Sequence, residues 1–146
     1  MKKVGKSTKK GFTLVELIVV LVILAVLAAM LVPALVGYID RARAEKEYQT
    51  AATVYGAAQA VLTELYAKDE LTDGQNTVAT GQALTSMGTG DAVLTLAGVD
   101  ASAVTAYSFD FDTSTHIISG GTVTIGDATY TLTITDGVPS WSGALD

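Results

Sequence analysis

Few side chains in this sequence have the types and spacing that chemistry requires. Glu16 is a bare carboxylate inside an apolar run, four residues after Phe12. His116 is the sole histidine, with Ser114 and Ser119 close by, but no nucleophile motif surrounds them. A surface histidine is the expected reading. Asp110 and Asp112 share a strand face and can offer oxygens to calcium. No EF-hand-like loop or clear third ligand accompanies them, so they are read as solubilising charges. Gly88–Thr89–Gly90 lacks the pattern of a phosphate-binding loop. The chain has no cysteine, which excludes disulfides, thiolate metal sites and a cysteine nucleophile together. No enzymatic site, metal or cofactor is expected. Glu16 is left as the one ionisable group that is out of place.

The element that must hold Glu16 is an uncharged run, Leu17–Ile39, of 23 residues. It supplies much of the apolar excess of a chain that is 49% hydrophobic and only 16% charged. As a helix it would span about 35 Å, enough to cross a hydrocarbon core of about 30 Å. The net charge of −6 hides an asymmetry: Lys2, Lys3, Lys6, Lys9 and Lys10 precede the run, and no basic residue follows Lys68. The remainder carries carboxylates alone, which excludes a phosphate-gripping face, so no nucleic-acid partner is expected. A secretory signal peptide would be shorter and would end at a small-residue cleavage site, for which Ala28–Ala29–Met30 is only a weak match. A plain anchor with a cytoplasmic lysine stub is physically sound, but it leaves Glu16 without a role.

The stretch Lys9–Lys10–Gly11–Phe12–Thr13–Leu14–Val15–Glu16–Leu17–Ile18 closely resembles the processing site of type IV prepilins and their relatives. The resemblance implies a leader, residues 1–11, removed after Gly11 on the cytoplasmic side by a membrane-embedded aspartyl peptidase. The same enzyme would methylate the new N-terminus at Phe12. Glu16 then matches the family's acidic residue that recruits the next subunit, its carboxylate neutralising the Phe12 amine inside an apolar bundle and helping to set axial register. The competing reading, a glutamate that reaches back to the membrane interface, ranks below pairing. Pro33, inside the run, removes a helix hydrogen bond and clashes with the Ala29 carbonyl, so a kink is expected there, with Gly37 adding flexibility. The family often carries a proline at this place, beside local unwinding in the filament.

Beyond the assembly helix at 12–39, residues 40–68 read as its amphipathic continuation. Arg41–Glu45 and Arg43–Glu47 stand four apart on a solvated face. Tyr48, Ala52, Tyr55, Ala58, Leu62, Leu65 and Tyr66 form an apolar stripe expected to meet a small domain. Asp69, Thr72, Asp73 and Gly74 end the helix. In the head, 69–146, a short helix is expected near Gly81–Met87, and Ala92–Ala97 fits either a strand or a helical turn. From Tyr107 the period falls to two: Tyr107, Phe109 and Phe111, then Val123 and Ile125, then Tyr130, Leu132 and Ile134. Gly126–Asp127 and Asp136–Gly137 are turn signals, and Pro139 marks a short edge strand. The fold expected is α+β: a long N-terminal helix, its first half embedded in the membrane and its second half packed on a small antiparallel sheet of three or four strands.

The resemblance implies a type IV pilus subunit that polymerises with copies of itself into an extracellular filament with adhesion- or motility-type roles. Before assembly it would sit as a single-pass cytoplasmic-membrane protein with a cytoplasmic N-terminus. The partners implied are the prepilin peptidase/methyltransferase, the membrane assembly machinery and minor pilins. The alternative is a pseudopilin of a type II secretion or competence DNA-uptake system. The missing cysteines depart from the C-terminal disulfide loop of many Gram-negative type IVa pilins and point away from that subgroup.

Overall fold

The computed structural model describes residues 11–88 and 90–143. Residues 1–10, which make up nearly all of the expected leader, lie outside the described residues, as does Thr89 of the glycine-flanked segment. The chain divides into two units between Asp40 and Arg41. Helix α1, Leu14–Ala67, contributes to both.

In the first unit α1 is helical throughout, Pro33 and Gly37 included. Every residue from Gly11 to Asp40 is exposed. A run of leucine, valine, isoleucine and alanine holds a helix because the helix satisfies its backbone polar groups internally, the condition that a hydrocarbon environment imposes. Among the helices of the described residues α1 alone is long and apolar enough to cross a membrane.

In the second unit α1 buries Ala44, Ala51, Val54, Ala57, Ala58, Val61, Leu62 and Leu65, a face with three- and four-residue steps. The buried seam is rotated from the expected stripe. Ala52 and Tyr66 face outward, while Ala51, Val54 and Val61 take the centre. The helix ends in a Schellman motif: Asp69 is left-handed (φ 56°), its N–H donates to the Tyr66 carbonyl at 3.2 Å, and Glu70 N–H donates to the Leu65 carbonyl at 2.9 Å.

Five antiparallel strands face that seam in the order β1–β2–β3–β4–β5. They are β1 Thr77–Ala79, β2 Val104–Asp112, β3 Ile117–Ile125, β4 Ala128–Thr135 and β5 Val138–Ser142. The meander predicted from period two is therefore present, with an added short strand on the β2 edge. Tyr107, Phe109, Phe111, Val123, Tyr130 and Leu132 point into one core with the α1 seam. Thr129, Thr131, Thr133 and Thr135 point to water. Asp136 and Gly137 both carry positive φ (54° and 78°), the geometry a two-residue type I′ hairpin demands.

Gly121 has to be glycine. It lies opposite Phe109, with φ 153°, and a Cβ there would stand 2.6 Å from the Phe109 ring and inside contact distance of the Ser108 carbonyl. Helix α2, Ala92–Ala97, resolves the choice between strand and helix; Asp91 caps its start and Gly98 (φ 65°) ends it. The helix expected near Gly81–Met87 is absent. Gly81 and Gly88 are both left-handed (φ 86° and 80°), and turns with a single Leu84–Gly88 bridge occupy the segment.

Candidate functional site

Gly11, Phe12 and Thr13 are non-helical, and α1 begins at Leu14. Thr13 is the reason. Its hydroxyl accepts a hydrogen bond from Glu16 N–H at 3.3 Å, and its own N–H donates to the Glu16 carboxylate at 3.1 Å. The two bonds form a reciprocal capping box, which satisfies donors that a helix start otherwise leaves without partners. The Thr13 carbonyl then accepts from Leu17 N–H at 3.2 Å. Glu16 also lies favourably in the first turn, where the helix dipole stabilises a negative charge.

Phe12 is 82% exposed. With Val15, Glu16, Val19 and Val20 it lines one shallow recess, so the fold brings together two of the residues that the resemblance singles out. Gly11 and Gly37 have open space where a Cβ would stand. Pro33 and Gly37 lie far along the helix from this recess and take no part in it. Thr-x-x-Glu before an apolar run is the sequence signal of this capping box, separate from the charge of Glu16 in an apolar segment.

The polar groups of the second unit hold structure. Ser114 donates to Asp112, not to His116. The His116 ring stacks on Tyr66 at 3.9 Å, so the histidine and serine of the conceivable triad are engaged apart. Two Ser114 donors and the Thr115 N–H surround the Asp112 carboxylate and hold its pKa down at about 2. Gln59 grips the start of β3 from α1: its amide donates to the His116 carbonyl at 3.0 Å, and Ile118 N–H donates to its oxygen at 2.8 Å. Tyr107 donates to Asp91 at 2.7 Å, and burial followed by that carboxylate pushes the phenol well up. Glu47 does not pair with Arg43. Its carboxylate accepts from Tyr130, whose pKa is raised to about 12, first by burial and then by that bond. Among the described residues the ion pair present is Lys68–Glu64, and no group of three or more His, Cys, Asp or Glu is placed to hold a metal.

Residues 6–32 match the family model described as the prokaryotic N-terminal methylation motif. No curated protein and no solved structure matches the chain. The motif implies processing by a prepilin peptidase and assembly into a pilus-type system, and proteins of this kind are structural and generally not enzymes. The apolar helix beside it is consistent with membrane anchoring. The motif, with the layout of a long apolar helix followed by a small antiparallel sheet, supports a type IV pilin-like protein with a class III signal.

Proposed function

We propose that the chain is the structural subunit of a type IV pilus, cleaved after Gly11, methylated at Phe12 and polymerised through residues 12–39 into an extracellular filament. The observation that carries this reading is the methylation motif running directly into a helix whose every residue to Asp40 is exposed in the single chain. An apolar surface of that extent needs a cover. Lipid covers it before assembly and the helices of neighbouring subunits cover it afterwards, in heterologous contacts that build an open helical fibre. Residues 40–68 carry the helix onward and 69–146 form the head. Within the bundle, Glu16 exchanges its bond to Thr13 for the charged Phe12 amine. Both charges are thereby matched in a medium where either one alone is costly. At Pro33, which has no N–H to offer Ala29, the helix bends, and Gly37 eases the bend.

The test is Glu16→Ala in the native cells. Cleavage stays largely intact, because the backbone N–H of residue 16 still donates to the Thr13 hydroxyl. Sheared surface filaments disappear. Normal filaments from this variant would sink the assembly role. In wild-type cells, a chain starting at methylated Phe12 in sheared material supports the pilus subunit. The same processed chain found in membranes alone favours the pseudopilin.

A further inference from the structure

We infer that Thr13 is a positioning residue for processing: its capping box keeps the Gly11–Phe12 peptide bond in helix-free backbone, where a peptidase can take it. The inference rests on cleavage after Gly11, as proposed above.

Hydrolysis of that bond adds water to the Gly11 carbonyl carbon and breaks its bond to the Phe12 nitrogen. Gly11 leaves as a carboxylate and Phe12 as an ammonium group. The attack needs a carbonyl that is free and open on one face. Inside an α-helix the Gly11 carbonyl would be tied to the N–H of Val15, four residues on, and shielded by the surrounding turn. In the structure the chain is non-helical at Gly11, Phe12 and Thr13, and Leu17 N–H reaches back to Thr13. The scissile carbonyl thus stands two residues upstream of that acceptor.

This boundary does not hold itself. Next to a hydrocarbon phase, non-helical backbone is costly unless its polar groups have partners, which favours extending the helix upstream. The two bonds between Thr13 and Glu16, at 3.1 and 3.3 Å, oppose that extension. They satisfy the donors at the helix start locally, and they require residue 13 to keep the non-helical backbone of an N-cap. Phe12, 82% exposed and held by no backbone bond of the helix, is left free to enter a partner's cleft.

If the box selects the cleavable conformer, its loss lowers the competent fraction of substrate and raises apparent KM in proportion, with kcat unchanged. The experiment uses the full-length precursor in detergent micelles with the prepilin peptidase of the same cells. Thr13→Val, which keeps the shape and loses the hydroxyl, raises KM roughly fivefold, as expected for loss of an N-cap. Thr13→Ser restores it. Leu24→Ala, on the exposed helix away from the box, is cut like wild type. The carbonyl carbon shift of Gly11 moves toward helical values in Thr13→Val alone, and thermal unfolding of the head is the same in all four proteins. Wild-type kinetics for Thr13→Val, or a serine variant no better than valine, would overturn the inference and leave the cleavage reading standing. A fall in kcat at constant KM would also overturn it, since that result means a contact made only during catalysis. A wild-type precursor that is never cut overturns the cleavage reading and this inference with it.

Discussion

Val20 and Val61 are the same residue type on the same helix, yet Val20 is 52% exposed and Val61 not at all. The difference lies in what the rest of the chain offers each of them. Val61 belongs to a core to which the five-stranded sheet contributes Phe109, Tyr130 and Leu132, and the head closes that core by itself. Around Val20 the described residues supply no cover, and the neighbouring side chains are apolar and exposed, as it is. Burial in the second unit is intramolecular and stabilises a fold. In the first unit no such burial occurs within the single chain, and under the proposed function it falls to lipid or to other copies. Apolar content alone therefore does not tell a core from an interface. The partner that the sequence encodes for each segment does.

The sharpest break in this comparison comes from Gly121→Val. A side chain there collides with the Ser108 backbone and the Phe109 ring, so the head is expected not to fold at all, while the 14–40 helix still enters membranes. Circular dichroism of the soluble fraction and membrane fractionation read the two units separately. A folded head in this variant would show that the sheet can open at β2–β3.

Leucine truncations give a milder and paired test. Leu62→Ala removes a fully buried side chain and should cost the head about 2–5 kcal/mol in denaturant unfolding. Leu24→Ala, in the exposed half, should change head stability by less than about 0.5 kcal/mol. Equal effects would mean that the two halves of α1 share one core.

An effect smaller than that of Leu62→Ala comes from pH. Tyr130, held by burial and by Glu47, titrates near 12 and not at its ordinary value near 10. A raised pKa means that the neutral phenol is favoured in the fold. Its contribution is full below pH 10 and is lost as pH climbs from about 10 through about 12. Tyr130→Phe should lower stability at neutral pH by about 1–3 kcal/mol and flatten the alkaline part of the profile. An unchanged slope between pH 10 and 12 would assign the alkaline loss to another group.

Much of the head was legible because its strands alternate so regularly. Tyr130, Leu132 and Ile134 against Thr129, Thr131 and Thr133 admit one register, and Asp136–Gly137 fixes the hairpin. The helix face was harder to read. Between Ala51 and Ala60 alanines fall on several sides, so tyrosines drew the stripe toward Tyr55 and Tyr66. Packing instead put the compact Val54 and Val61 at the centre and left the tyrosines at the margin, where Tyr48 donates to the Gly143 carbonyl at 3.0 Å. Strand β1 was invisible because Thr77–Ala79 has no pattern of its own and exists only by pairing with Ser108–Asp110. At Gly81–Met87 the composition suits a helix, but the flanking left-handed glycines decide for turns. At the candidate site, Gly11, Phe12 and Glu16 carried the motif openly. Thr13 was overlooked because its role is a bond to its neighbour's backbone, not a charge.

The fastening of β5 onto α1 also sets an order in time. Trp141 packs edge-on to Tyr55 at 6.4 Å, and Tyr48 reaches Gly143, so the helix meets its last partners at the far end of the chain. A ribosome adding roughly 5–20 residues per second needs on the order of ten seconds to travel from the α1 seam to that strand. For the first part of that interval Val54, Val61 and Leu62 have a helix but no sheet, since β2 begins only at Val104. The head therefore closes last at its β5 edge, when Trp141 reaches Tyr55.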